Sequence, residues 1–322
     1  MTQKRTTVLL TSMGEGHLLR HSLPAALAQE GADVVVVDNG CLDDTSKVAE
    51  EHGARVISFE SRIAYCDLMN QAIAGTDGDA VMFLNADCFL EPGFLAAARP
   101  RLDEEGVGSV APKLLRTLGP DPSDRLDAID AAGMVIDRRR KNTLVGHGRP
   151  SLAYDRPGEA FGVDGAAALY RRQTLEQCAI DGEVLDPDLE LWAADVDLAW
   201  RARLFGWRCV YEPDAVAYHV RRYSPSTRAG MPERDRRMQF RNRYLMMVKN
   251  DTARGLVRDL PRIAAWEVAA FGWALARERH LLGAYAETVR LLTGARRRRA
   301  FVQSARRTAG VNEVPFGLQV QP

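Results

Sequence analysis

Long apolar runs are missing from this chain. A membrane-crossing helix needs about 20 apolar residues, and the nearest approach, residues 263–276, is interrupted by Glu267 and bounded by Arg262 and Arg277. Near the start, only Val8-Leu9-Leu10 follow the basic Lys4 and Arg5. That run is too short for a signal peptide, so the sequence predicts a cytoplasmic protein. The five cysteines (Cys41, Cys66, Cys88, Cys178, Cys209) are odd in number and never form a CxxC pair, which argues against a disulfide framework and against a zinc ribbon. No solenoid-length repeat is visible. The basic run Arg296–Arg299 lacks interleaved aromatic residues and any recognised module, which argues against nucleic acid as a partner.

Net charge is also absent, with 43 basic residues against 43 acidic, yet the charges are segregated. Residues 221–322 hold 21 Lys/Arg against 8 Asp/Glu, leaving the first two thirds acidic. A basic tail fits an anionic partner, and a solvated Arg-rich helical face is the plainer alternative. Residues 263–276 carry Trp266 and Trp273 beside flanking arginines. They suit a helix lying in a membrane interface, or one packed on the catalytic domain or in a homodimer contact.

A 46% hydrophobic content in 322 residues supports a sizeable core. Short β-rich runs alternate with helical stretches through the first hundred residues, the mark of an α/β fold. Strands are expected at 7–10, 33–37, 55–59, 80–84 and 108–111, with helices near 18–29, 45–52, 64–74 and 92–102. Residues 112–160 read as an irregular insertion with short strands such as 133–137. Order returns at 161–167, before helices near 171–177 and 195–205 and strands at 208–211 and 215–219. From about Arg221 the pattern is helical. Strands this apolar belong to a sheet covered on both faces, where ligands bind beyond the strands' carboxyl ends. Chemistry is therefore expected after Val37 and Leu84.

Three segments place polar groups there. Asp38-Asn39-Gly40 closes an apolar strand; an Asp in that position can read a base imide or a ribose hydroxyl, though the triplet also suits a simple turn. Asn85-Ala86-Asp87 ends another strand, and one carboxylate there can hold Mg²⁺ or Mn²⁺ against a diphosphate. Asp195 and Asp197 open a helix. They serve either as cap and Asp197–Arg201 pair, or as a general base for an acceptor hydroxyl. His219, at a strand end, is a candidate metal ligand.

In this order the motifs resemble family 2 glycosyltransferases of the GT-A fold, especially a bacterial rhamnosyltransferase-like branch. VVVDNGCLDDT, FLNADCFLEPG, VDGAAALYRR, DVDLAWRARLFGW closing in His219, and RNRYLMMVKN carry the likeness across about residues 6–250. The resemblance implies a GT-A (Rossmann-like) mixed, mostly parallel sheet flanked by helices, with a C-terminal helical extension. Residues 1–225 would form the catalytic domain and 226–322 the Arg-rich helical region. Thr11, Asp38, Asn39, Asn85 and Gly165 are then expected to bind the nucleotide sugar, with Arg62, from a loop that departs from the family's pattern, beside them. Asp87 and His219 would hold a divalent cation, Asp195 would be the base, and Asp197 with Arg201 would steady it. The implied activity is inverting transfer from dTDP-rhamnose or a UDP-sugar to a lipid-linked or polysaccharide acceptor. It would take place in the cytoplasm, peripherally on the inner face of the plasma membrane. Ala194, standing where the family usually has Glu, supports the alternative of a catalytically decayed scaffold.

Overall fold

Four apolar segments form a parallel half-sheet because each is flanked by a helix that carries the chain back across it. The computed structural model describes residues 5–224, 227–307 and 314–322. The first half runs β1 (Thr6–Ser12), α1 (Gly16–Leu27), β2 (Ala32–Asp38), α2 (Thr45–Glu51), β3 (Arg55–Ser58), α3 (Tyr65–Ala74), β4 (Ala80–Asn85), β5 (Cys88–Leu90) and α4 (Phe94–Ala98). It continues through β6 (Val107–Thr117), β7 (Arg125–Ala131), β8 (Met134–Ile136), β9 (Asn142–Leu144), β10 (Gly158–Ala160), β11 (Ala167–Arg171), α5 (Arg172–Cys178), α6 (Ala194–Leu204) and β12 (Arg208–His219). Three long helices follow: α7 (Glu233–Asn250), α8 (Ala253–Ala276) and α9 (Gly283–Ala305).

The main sheet has the order β10-β12-β6-β11-β4-β1-β2-β3, with β5 and β7 paired at its side. The β4-β1-β2-β3 half is parallel, while β11 runs antiparallel to both β4 and β6. Alternate residues feed opposite faces, as the pleat requires. Leu9, Val35, Val37 and Phe83 join one apolar cluster, whereas Val8, Leu10, Val34, Val36 and Leu84 join the other. Both faces are thus covered, so open chemistry is confined to the sheet edge.

Two expectations need correction. Irregularity does not set in at Pro112: β6 continues through it to Thr117, and β7 and the β8–β9 hairpin follow, with β8 within the short strand expected at 133–137. Pro112 is accommodated because its partner strand slips register there, between Glu212 and Val216. The same slip makes the strands expected at 208–211 and 215–219 one bulged strand, β12. The central strand β11 was not anticipated, because the small residues Ala166-Ala167-Ala168 carry little strand signal.

The expected boundary at 225/226 lies outside the described residues. Beyond it, α7 is bonded to the sheet domain by Arg241, Asn242, Lys249 and Asn250. Phe316 in the last segment sits against Trp200, ring centroids 5.2 Å apart. The Arg run is partly internal: buried Arg298 pairs with Asp188 at 2.5 Å, and Arg299 donates to the Asp251 carbonyl. Among the described residues no helix is long and apolar enough to cross a membrane.

Candidate functional site

Because β1, β2 and β4 are parallel and in register, their ends bring polar residues to one line. Ser12 lies opposite Asp38, and Thr11 opposite Asn85. The buried Asp38 carboxylate accepts from the Cys41 N–H at 2.8 Å and from the Ser46 hydroxyl. Asn39 is fully buried, and its amide exchanges two hydrogen bonds with the Ile63 backbone, at 3.0 and 2.9 Å. Asn39 thus ties the 61–63 loop to β2. The Thr11 hydroxyl lies against the Met69 sulfur at 3.3 Å, while Asn85 is half-buried at the edge. Arg62 is exposed and donates to the Met13 carbonyl, so its guanidinium stands beside the end of β1.

Asp87 lies in the two-residue link between β4 and β5. The pairing of β5 with β12 sets Cys88 opposite His219, which delivers the imidazole to Asp87. His219 Nε2 is 3.4 Å from Asp87 Oδ1, too long for a well-formed hydrogen bond. That carboxylate oxygen is buried with no hydrogen-bond partner. On its other side His219 Nδ1 meets Asp130 at 2.9 Å. Burial works against a charged imidazole, yet the Asp87 charge and the Asp130 hydrogen bond raise its pKa to about 9. Burial would likewise raise Asp130, but the His219 hydrogen bond and the Arg221 charge hold its carboxyl well below the usual range. Arg221 also binds Asp164 at 2.9 Å, which links this chain of charges to the next carboxylate.

That carboxylate is Asp195, in the first turn of α6. Its Oδ2 accepts from Gly165 N–H at 3.1 Å and its Oδ1 from Val196 N–H at 2.8 Å. Gly165 precedes β11, and the Ala166 carbonyl bonds Asn85 N–H at 3.0 Å, so Asp195 stands beside the β4 end. Burial and then the Asp164 charge push its pKa up to about 6, against the pull of the two N–H donors and Arg221. Tyr65 lies close enough for burial and the Asp195 charge to raise its phenol. A half-buried carboxylate poised near neutrality can accept a proton from an incoming hydroxyl. Asp38, Asp87 and Asp195 therefore share one edge of the sheet.

A family profile described as Glycosyl transferase family 2 matches residues 7–178, more than half of the chain. The chain belongs to glycosyl transferase family 2. Poly-beta-1,6-N-acetyl-D-glucosamine synthase of Staphylococcus aureus is 21% identical over 70% of this chain and 51% of that protein. The solved TarS 1-349 of S. aureus with UDP-GlcNAc has a TM-score of 0.59 at 15% identity, over 94% of this chain and 87% of that one. The mannosyltransferase PcManGT from Pyrobaculum calidifontis, solved with GDP-Man and Mn²⁺, gives 0.51 at 19% identity, over 94% and 85%. These likenesses establish the GT-A fold. The chain spans between about a quarter and a half of the length of the curated relatives it matches, 23% and 51% in two cases.

Within this family 2 chain, Asp197 and Arg201 make no hydrogen bond to Asp195, so any steadying of it passes through the helix they share. Both are buried in the interior. Arg201 Nε bonds Asp197 at 3.0 Å and its tip caps the Cys178 and Val184 carbonyls. Asp197 also takes Lys249 Nζ at 2.9 Å and Asn250 Nδ2 at 2.7 Å, while Lys249 reaches Asp186. Burial would raise the Asp197 pKa, but the Lys249 and Arg201 charges lower it below its ordinary value. The cluster fastens α6 to α7 from behind.

The same helix grips the loop that leads to Asp195. Glu190 (φ 61°) and Ala193 (φ 65°) are left-handed in this loop, a strained geometry for side-chain-bearing residues. Asn242 Nδ2 donates to the Leu189 and Trp192 carbonyls at 2.7 and 2.6 Å, and Arg241 donates to the Asp188 carbonyl at 2.9 Å. The two halves of RNRYLMMVKN thus hold both sides of the helix start. Sequence reasoning missed Asp130, Asp164 and Arg221. Asp164 is adjacent to the chosen Gly165, and Arg221 lies two residues past His219. Asp130 carries no local signal within the insertion.

Proposed function

We propose that this strand-edge cleft binds a nucleoside-diphosphate sugar and transfers its sugar with inversion to an acceptor hydroxyl. One observation carries the reading: Asp195, with its pKa near 6, stands beside the β4 end while Asp87 holds an unpartnered carboxylate oxygen at the same edge. The acceptor O–H gives its proton to Asp195 as its oxygen bonds the anomeric carbon, and the bond from that carbon to the diphosphate oxygen breaks. Attack opposite the leaving group inverts the centre, so no enzyme nucleophile is required. Asp38 and Thr11 would line the nucleoside end with Asn39 fixing its loop, and Asn85, Gly165 and Arg62 would border the sugar and diphosphate.

The orphaned Asp87 oxygen fits a divalent cation, Mg²⁺ or Mn²⁺. The second ligand would be His219 Nε2, which would have to give up the proton that Asp87 and Asp130 hold on the ring; Asp130 would then orient it in the manner of a carboxylate behind a metal-bound histidine. Among the described residues no group of three or more His, Cys, Asp or Glu could hold a metal. Two protein ligands suit an ion whose remaining positions are filled by diphosphate oxygens and water. Such an ion supplies charge neutralisation to the departing diphosphate.

The donor proposed is dTDP-rhamnose or a UDP-sugar, and the acceptor a lipid-linked or polysaccharide glycan of the cell envelope. The work would be done at the inner face of the plasma membrane, by residues 1–225 with 226–322 as the helical extension. Neighbours solved with UDP-GlcNAc and GDP-Man, and a relative named for a polysaccharide, lend support. A donor-hydrolysis screen across purified nucleotide sugars with Mg²⁺ and Mn²⁺ tests this directly. Turnover of one donor that needs the cation supports transfer. Binding without hydrolysis or transfer across a broad acceptor panel would favour the scaffold that Ala194 suggests.

A further inference from the structure

Four consecutive cations, Arg138-Arg139-Arg140-Lys141, occupy the turn between β8 and β9, and glycosyl transfer uses none of them. Asp137 builds the turn: its Oδ1 accepts from the Arg139 and Lys141 N–H groups at 2.7 and 3.1 Å. Arg140, left-handed at φ 64°, points inward, where its buried guanidinium pairs with Asp251 and Asp259, both at 2.8 Å. Arg138, Arg139 and Lys141 keep contact with solvent. Arg138 and Arg139 face Arg262, Ala265 and Trp266 of α8 across a groove of about 550 Å³. The half-buried Trp266 ring lies 5.1 Å from the Arg139 guanidinium and 4.9 Å from the Lys141 ammonium, both within cation–π range. Arg262 stands one turn before Trp266 on the same helix face.

The charges around this groove do not balance. Arg138 pairs with Asp259 at 2.5 Å, but that carboxylate also serves Arg140 and Arg258. Arg139 pairs with one Asp137 oxygen at 2.6 Å, while the other oxygen is taken by the turn. Among the described residues no carboxylate comes within ion-pairing reach of Lys141 or Arg262. Burial, and then the charges of Arg139, Arg228 and Arg243, lower the Lys141 pKa, with Asp137 opposing them. A lysine held in a positive field beside an open groove is a site that an anion completes. Two unpartnered cations match an anion of two charges, and guanidinium forks suit phosphoryl oxygens better than they suit a single carboxylate charge.

We propose that the groove between the β8–β9 turn and α8 binds a phosphate-type dianion, held by Lys141 and Arg262 against the Trp266 indole with Arg138 and Arg139 at its rim. The turn is fixed in advance, because Arg243 of α7 donates to the Arg139 and Arg140 carbonyls. The groove shares no lining residue with the strand-edge cleft, so the proposal stands apart from the glycosyl-transfer reading.

The test is calorimetric titration of the full chain with pyrophosphate in EDTA, which keeps divalent cations out of the cleft. Wild type is expected to bind pyrophosphate, less tightly as salt rises. Lys141→Met with Arg262→Met should weaken binding at least about ten-fold, with urea unfolding showing that the variant is folded. Arg262→Met alone, at an exposed position, should weaken it by a smaller factor. Pyrophosphate should also change the tryptophan fluorescence, and Trp266→Phe should abolish that change. Asp87→Ala should bind pyrophosphate as wild type does. UDP and glucose 1-phosphate, competing for the fluorescence signal, separate the two sources of such an anion: the tighter competitor assigns the groove to a nucleotide or to a phosphorylated sugar. Absence of wild-type binding, undiminished binding by the double variant, a fluorescence change that survives Trp266→Phe, loss of binding in Asp87→Ala, or displacement by neither competitor would overturn the proposal.

Discussion

Asp195→Asn separates the proton-accepting role of this side chain from its structural cost. Its pKa is pushed up to about 6 from an ordinary 3.8, so ionising it in the folded protein opposes folding. The penalty is absent below the unfolded value, where both states are protonated, and complete above the folded value. A difference of about two pKa units corresponds to about 3 kcal/mol at pH 8, falling to about half that at pH 5. The amide removes the penalty but keeps only one of the two acceptor contacts to Gly165 and Val196, a loss of about 1 kcal/mol. The variant should therefore be more stable than wild type by about 2 kcal/mol at pH 8, with the gain shrinking to near zero by pH 5. Urea unfolding at the two pH values reads this out. Transfer should fall by about 10²- to 10⁴-fold while nucleotide affinity is preserved. A variant that is less stable at pH 8, or whose advantage grows on acidification, would refute the electrostatic reasoning. Normal turnover would remove Asp195 from the mechanism.

Three further outcomes follow from the geometry. In wild type, kcat/KM should rise with pH through about 6 and level off above it, since the base must be deprotonated; a flat profile between pH 5 and 7 contradicts this. Lys249→Met leaves Asp186 and Asp197 buried without their ammonium and should cost about 3–5 kcal/mol in thermal or urea unfolding. Asn242→Ala frees two carbonyls in the strained loop; kcat should drop while the donor KM holds, and an unchanged kcat would show that the loop needs no such grip.

How much was legible follows physical lines. Val34 to Val37 announced a buried strand, and the residues after Val37 and Leu84 do stand at the sheet edge, because strand ends are set by local pattern. Asp197 and Arg201 looked like neighbours of Asp195 because they share its helix. Two residues along a helix is about half a turn, which points Asp197 away from Asp195 and at Lys249 instead, a partner some fifty residues away in sequence. Asp130 reaches His219 across 89 positions of sequence, and no local pattern foretells that meeting. The tail's charge imbalance was plain, but its distribution was not: Arg298 is spent inside on Asp186 and Asp188, while the cations that meet at Trp266 come from the distant β8–β9 turn.

Calorimetric titration of UDP, dTDP and GDP into the wild-type chain and Asp87→Ala, each with and without Mn²⁺, probes the central claim most directly. The account predicts that at least one nucleotide binds wild type with Mn²⁺, and that omitting the ion or removing the Asp87 carboxylate abolishes or greatly weakens it. Equal affinity with and without Mn²⁺ in both proteins, or no nucleotide binding at all, would contradict it.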